Sequence, residues 1–289
     1  MNVAIIGGTG KMGRWFARFL AAEGREIVLI GRDAARLETV ATELGVDCST
    51  DMADAGRADV VIISVPVDAF EEVAKDLGQY TRQDQIILDI TSVKALPVEA
   101  MQRHIKNGWL LGTHPVFGPG ARNITNHNFV LTPTNQAESA LAERVKAYLE
   151  ARHAKVHLMT PKEHDDMMAV ILGLAHYIAI VSADSLSSLR HLKEMEAIGG
   201  ITYKVLLTLV ESVISEDAGL YASLQVSLPN LPQIQQDFQR RCREWSELVA
   251  SKDKDEFSRR MTDIRHKLEA GNPEFGKAYD NMYKIADNL

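Results

Sequence analysis

The chain of 289 residues is 46% hydrophobic and 25% charged, an ordinary globular composition that excludes a disordered or fibrous chain and suffices for two domains. With 32 Lys and Arg against 39 Asp and Glu the net charge is -7, which gives no electrostatic reason to expect nucleic acid or an anionic membrane as partner. Cys48 and Cys242 lie too far apart in sequence for a disulfide framework or a metal site, so no metal and a reducing cytoplasm are expected.

In chain order, short apolar runs at residues 3–6, 27–30, 60–64, 86–89, 110–113 and 129–131 alternate with helical stretches. Runs of this kind, bounded by Gly, Pro or Asp, predict buried strands of a mostly parallel sheet. Beyond Pro161 the texture changes. Residues 163–192, 201–214 and 232–249 carry helical spacing, and 251–260 continue into Met261, Ile264 and Leu268 as one more amphipathic helix. The expected architecture is an α/β Rossmann domain over 1–160 followed by an all-α domain over 161–289. So apolar a helical half predicts pairing with a second copy as a homodimer. No uninterrupted apolar run reaches the roughly 18 residues of a membrane span, and no signal peptide is expected.

Directly after the first run stand Gly8-Thr9-Gly10-Lys11-Met12-Gly13, with the helical 14–22 behind them. In this strand–turn–helix context the G-x-G-x-x-G spacing predicts a dinucleotide phosphate site. The first glycine permits the turn, the second admits the pyrophosphate and the third lets helix and strand pack closely. The helix N-terminus then offers N–H groups to the anion. Gly31-Arg32-Asp33 and Arg36 follow the second run, where NAD enzymes usually place an acid on the ribose. Arginine there favours a 2′-phosphate, so NADP is expected over NAD. Asp33 stays open between N-cap of a helix over 34–44 and ribose ligand. Ser64, Val65 and Pro66 either wall the nicotinamide ribose or form an ordinary strand-ending turn.

Two further segments fall at carboxyl ends of strands: Asp89-Ile90-Thr91-Ser92-Val93-Lys94 and His114-Pro115-Val116-Phe117-Gly118-Pro119. An imidazole after a strand, in the ligand-facing position, suits taking a proton from a substrate hydroxyl as hydride departs. The D-x-x-S-V-K and H-P-V-F-G-P segments, with Glu163-His164-Asp165, Met168-Ala169 and His176 further on, resemble those of prephenate and arogenate dehydrogenases. That resemblance implies NAD(P)-dependent oxidative decarboxylation of prephenate to 4-hydroxyphenylpyruvate, in tyrosine synthesis, by a dimer. It makes His114 the base on the ring hydroxyl and Ser92 a second partner of that hydroxyl, and it places His176 near the substrate side chain and Lys94 at the border of the site. Where the family usually carries an arginine for a substrate carboxylate stands Ser212. Lys204, two turns earlier, is then the candidate to meet the carboxylate as a point charge, or else a solvated surface lysine.

His164 and Asp165 read as first-turn residues of a long helix, where carboxylates favour the positive dipole end. His176, twelve residues on at about 100° each, returns to the same side of an unbroken helix. Two other readings stand beside the resemblance: an oxidoreductase with the same fold acting on another substrate, such as a deazaflavin-dependent NADP reductase, and a non-catalytic NADP-binding homologue. No separate regulatory or mutase domain is expected.

Overall fold

Strands that are apolar at every position need cover on both faces, and the first half of the chain provides it. The computed structural model describes residues 1–287; positions 288 and 289, the end of the expected helical domain, lie outside the described residues. Its strands are β1 (Asn2–Ile6), β2 (Glu26–Ile30), β3 (Asp47–Ser49), β4 (Val60–Ile63), β5 (Ile86–Asp89), β6 (Trp109–Pro115), β7 (Asn128–Thr132) and β8 (Lys155–Leu158). They form one sheet in the order β3-β2-β1-β4-β5-β6-β7-β8. Every pairing is parallel except β6 with β7.

The helices between them are α1 (Lys11–Ala22), α2 (Ala34–Leu44), α3 (Met52–Ala55), α4 (Val67–Leu77), α5 (Ala95–His104) and α6 (Gln136–Glu150). Successive residues of β1 divide between two cores. Val3 and Ile5 join Phe16, Leu37 and Leu141 from α1, α2 and α6, whereas Ala4 and Ile6 join Phe70 and Met101 from α4 and α5. Ile5 and Leu29 are wholly buried, each worth about 1.5–3 kcal/mol relative to exposure.

The remaining elements are α7 (Pro161–Met168), a π-helical stretch (Ala169–Leu174), α8 (Ala175–Ser187), α9 (Leu192–Ile198), α10 (Ile201–Ile214), α11 (Ala218–Ser227), α12 (Leu231–Ser251), α13 (Lys254–Gly271), a 3₁₀ turn (Phe275–Lys277) and α14 (Ala278–Ala286). The chain forms two compact units. One comprises the sheet, its helices and α7 through Met168, together with residues 222–229; the other comprises residues 169–221 and those from 230 onward. Within the second unit α8 packs on α10, α10 on α14, and α12 on the π-helical stretch and α13.

The helix expected over 163–192 differs in two ways. It ends at Ser187, and its π-helical stretch breaks the 100° step, so the argument that His164 and His176 share one face of a regular helix fails. The continuous run Pro161–Ser187 also has the length and apolar composition to cross a membrane, although polar residues interrupt its apolar ones. Its first turns carry His164 and Asp165, both buried in the sheet unit.

Candidate active site

The turn after β1 is shaped by glycines, though not in the order the motif suggests. Gly7, at φ +79°, is the left-handed residue, and a Cβ on it would lie 2.2 Å from the Ser64 carbonyl oxygen. Gly8, expected to make the turn, is instead confined by Leu29, 2.8 Å from its hypothetical Cβ. A Cβ on Gly13 would come within 2.6 Å of the Gly7 carbonyl oxygen and 2.8 Å of Gly8 Cα, so α1 lies against the turn only because that atom is missing. Gly10 begins α1 with no side-chain cap. Thr9 lies in this turn and Lys11 and Met12 open α1, whose uncapped N-terminus could hold a dinucleotide pyrophosphate.

Beside this turn, Asp33 caps α2 by accepting the Arg36 N–H at 3.1 Å. Arg36 reaches back with its guanidinium to the Thr9 carbonyl at 3.4 Å, and Arg32 is exposed at the end of β2. Ser64 is tied to the first strand by its N–H on Ile6 O at 2.8 Å, and Pro66 starts α4. Arg36 and the 64–66 segment therefore border the glycine turn, and Arg32 follows β2 in the same part of the sheet.

β5 and β6 run side by side with Asp89 opposite Gly112, which brings the loop carrying Ser92 to the end of β6. His114 is the penultimate residue of β6 rather than a residue beyond it, and it is only 4% exposed. Its Nδ1 lies 2.8 Å from His164 Nε2, and His164 Nδ1 lies 2.7 Å from Asp165 Oδ1. The Asp165 carboxylate also receives the Lys94 and Ala95 N–H groups at 2.7 and 2.9 Å, capping α5, which has no cap of its own. His164 and Asp165, expected as helix-start residues, are thus direct and indirect partners of His114; fifty residues of intervening sequence hide that contact.

Directionality follows from the carboxylate, which only accepts. Asp165 takes the proton-bearing Nδ1 of His164, His164 Nε2 accepts from His114 Nδ1–H, and His114 Nε2 is left with its lone pair. Burial pushes His114 well below the ordinary imidazole range, and His164 and Lys94 push it further. His164 is lowered by burial, against the raising effect of Asp165. Both rings are therefore neutral at neutral pH, the state this chain of bonds requires. Ser92 is half-buried, and no hydrogen bond of its side chain is made among the described residues.

His176 and Lys204 belong to the second unit. His176, in the first turn of α8, stands edge-to-face with Tyr221 at 4.8 Å, and its buried Nδ1 has no hydrogen-bond partner among the described residues. Burial lowers its pKa. Lys204 is exposed on α10, and Ser212, about two turns further along the same helix, turns its hydroxyl to Leu209 O at 2.8 Å.

Residues 16–158 match the nucleotide-binding domain of prephenate dehydrogenase and residues 160–263 match its dimerization domain. A probable arogenate/prephenate dehydrogenase of Methanocaldococcus jannaschii is 32% identical over 90% of this chain and 59% of its own length. The T-protein of Haemophilus influenzae is 29% identical over 77% of this chain and 55% of its own. The chain thus spans little more than half the length of these relatives. Among solved structures, a prephenate dehydrogenase from A. aeolicus, in complex with hydroxyphenyl propionate and NAD+, superposes with a TM-score of 0.77 at 22% identity, over 94% of this chain and 98% of that one. With both domains matched in order, the chain belongs to the prephenate dehydrogenase family.

Proposed function

We propose that the protein catalyses the NADP-dependent oxidative decarboxylation of prephenate to 4-hydroxyphenylpyruvate. The observation that carries this reading is the Asp165–His164–His114 chain, which ends on an imidazole nitrogen able only to accept. When bound, NADP supplies the hydride acceptor. The glycine turn with Lys11 and Met12 binds its pyrophosphate, Arg32 and Arg36 bind its 2′-phosphate, and Ser64, Val65 and Pro66 wall its nicotinamide ribose. His114 Nε2 takes the proton of the substrate ring hydroxyl as hydride leaves the same carbon, while Ser92 hydrogen-bonds that hydroxyl. The C–O bond becomes a carbonyl, carbon dioxide departs with the ring carboxyl carbon, and the released electron pair runs through the ring to the oxygen, which takes back the proton held by His114 to give the phenol. Asp165 stabilises the imidazolium through His164, as a buried carboxylate behind a histidine does.

His176 and Lys204 are assigned to the substrate, Lys204 to a carboxylate. We assign residues 1–160 to cofactor binding and 161–289 to substrate and dimer contacts. The working form is a cytoplasmic homodimer, in keeping with two unpaired cysteines and a dimerization-domain match. Ser212, in place of the family's usual arginine, favours a second reading in which the acid oxidised differs from prephenate. Absorbance at 340 nm with NADP or NAD, against prephenate or arogenate in separate cuvettes, tests both. Turnover with prephenate and a preference for NADP are expected; reduction with arogenate alone, or with neither, would overturn the substrate assignment.

A further inference from the structure

Lys94 takes no part in the chemistry above, yet its side chain is wholly buried. An interior ammonium is tolerated when paired and fully bonded. Here it donates to Asp89 Oδ1 and, at 2.6 Å, to the Thr113 carbonyl, the peptide that leads into His114. Its backbone N–H donates to Asp165 Oδ1, the oxygen that also faces His164 Nδ1. One residue therefore grips both ends of the hydrogen-bond chain. Asp89 is held in turn by the Thr91 N–H at 2.8 Å, with its Oδ2 buried and without a hydrogen-bond partner among the described residues.

A purely structural strut is served as well or better by apolar side chains of similar volume, so the charge itself needs a use. The charged and titratable groups gathered here are Asp89 from β5, Lys94 at the start of α5, His114 from β6, and His164 and Asp165 from α7. Lys94 disfavours a proton on either imidazole, while Asp165 and Asp89 oppose it at His164.

We propose that Lys94 is a positioning residue which, paired with Asp89, holds the Asp165–His164–His114 chain in the one tautomer that leaves His114 Nε2 unprotonated before substrate arrives. This rests on His114 being the base. The test is the pH profile of kcat/KM for prephenate-dependent NADP reduction in the double variant Asp89→Asn/Lys94→Met, which removes both charges together, and in Lys94→Gln, which keeps a donor without the charge. The acid limb is expected to move upward by on the order of one pH unit. On the acid side of that limb kcat/KM, taken relative to its value at about pH 8, then falls roughly tenfold, with NADP affinity unchanged. An unmoved acid limb in a variant that binds NADP normally overturns the proposal. Nitrogen-15 NMR of the histidine rings adds a readout besides activity: a neutral His114 protonated at Nδ1 in the parent that loses this form in Lys94→Gln supports the proposal, and a His114 protonated at Nε2 in the parent, or a tautomer unchanged in Lys94→Gln, overturns it. Failure of the base assignment shows separately, as turnover that survives His114→Asn.

Discussion

Arg36 spends its backbone N–H on the Asp33 cap and its guanidinium on the Thr9 carbonyl, so Arg32 is the cation with most freedom to turn toward a 2′-phosphate. Arg32→Ala is expected to cut the preference for NADP over NAD by about tenfold, the worth of one charge-assisted hydrogen bond. Cofactor titrations with each dinucleotide measure it, and an unchanged ratio would move the role to Arg36. At this scale the sequence was informative where neighbours in the chain are neighbours in space. Asp33 as N-cap, the arginines after β2 and the imidazole on β6 are all local features. His164 and Asp165 do open α7 as their sequence predicts, but their contacts with His114 and the N-terminus of α5 join residues fifty and seventy apart, and a histidine in a helix's first turn has a sufficient local explanation without them. Lys94 was placed at the border of the site, but a burial as complete as its own shows only once β5, β6 and α7 converge.

Among the elements, the glycine turn and α1 form one mechanical part. Gly13→Ala puts a methyl 2.6 Å from the Gly7 carbonyl oxygen and 2.8 Å from Gly8 Cα, and backbone on both sides has no side-chain rotamer to yield. The predicted cost is about 1–3 kcal/mol, taken from stability or from the turn's fit to phosphate. A thermal melt with and without NADP reads it: a lower Tm and a smaller cofactor-induced rise are expected, and a parent-like Tm and rise would contradict the account. Six strands were legible because each is a continuous apolar run. β3, three residues long, and β8, a mostly exposed four-residue strand, fall below any pattern that hydrophobicity can reveal. The π-helical stretch from Ala169 to Leu174 left no mark either, since Ala-Val-Ile-Leu-Gly-Leu suits an ordinary α-helix equally well.

For the whole molecule, the second unit buries few of its apolar side chains by itself. Ile198 is 86% exposed, and Leu209, Ile214, Ile264 and Leu268 are exposed with it. Apolar area of this kind marks an interaction surface, and a second copy is the occupant consistent with the dimerization-domain match. Sedimentation velocity at micromolar concentration is expected to show a dimer, and Leu209→Glu to shift it toward monomer; a monomeric parent protein would contradict the assignment. The central claim remains that a neutral His114, oriented by His164 and Asp165, accepts the substrate proton. The most direct measurement is the rate of NADP reduction by prephenate in His114→Asn beside the parent, with NADP affinity determined on both. The account predicts a fall in turnover of about two orders of magnitude or more at near-normal NADP affinity; turnover equal to that of the parent would contradict it.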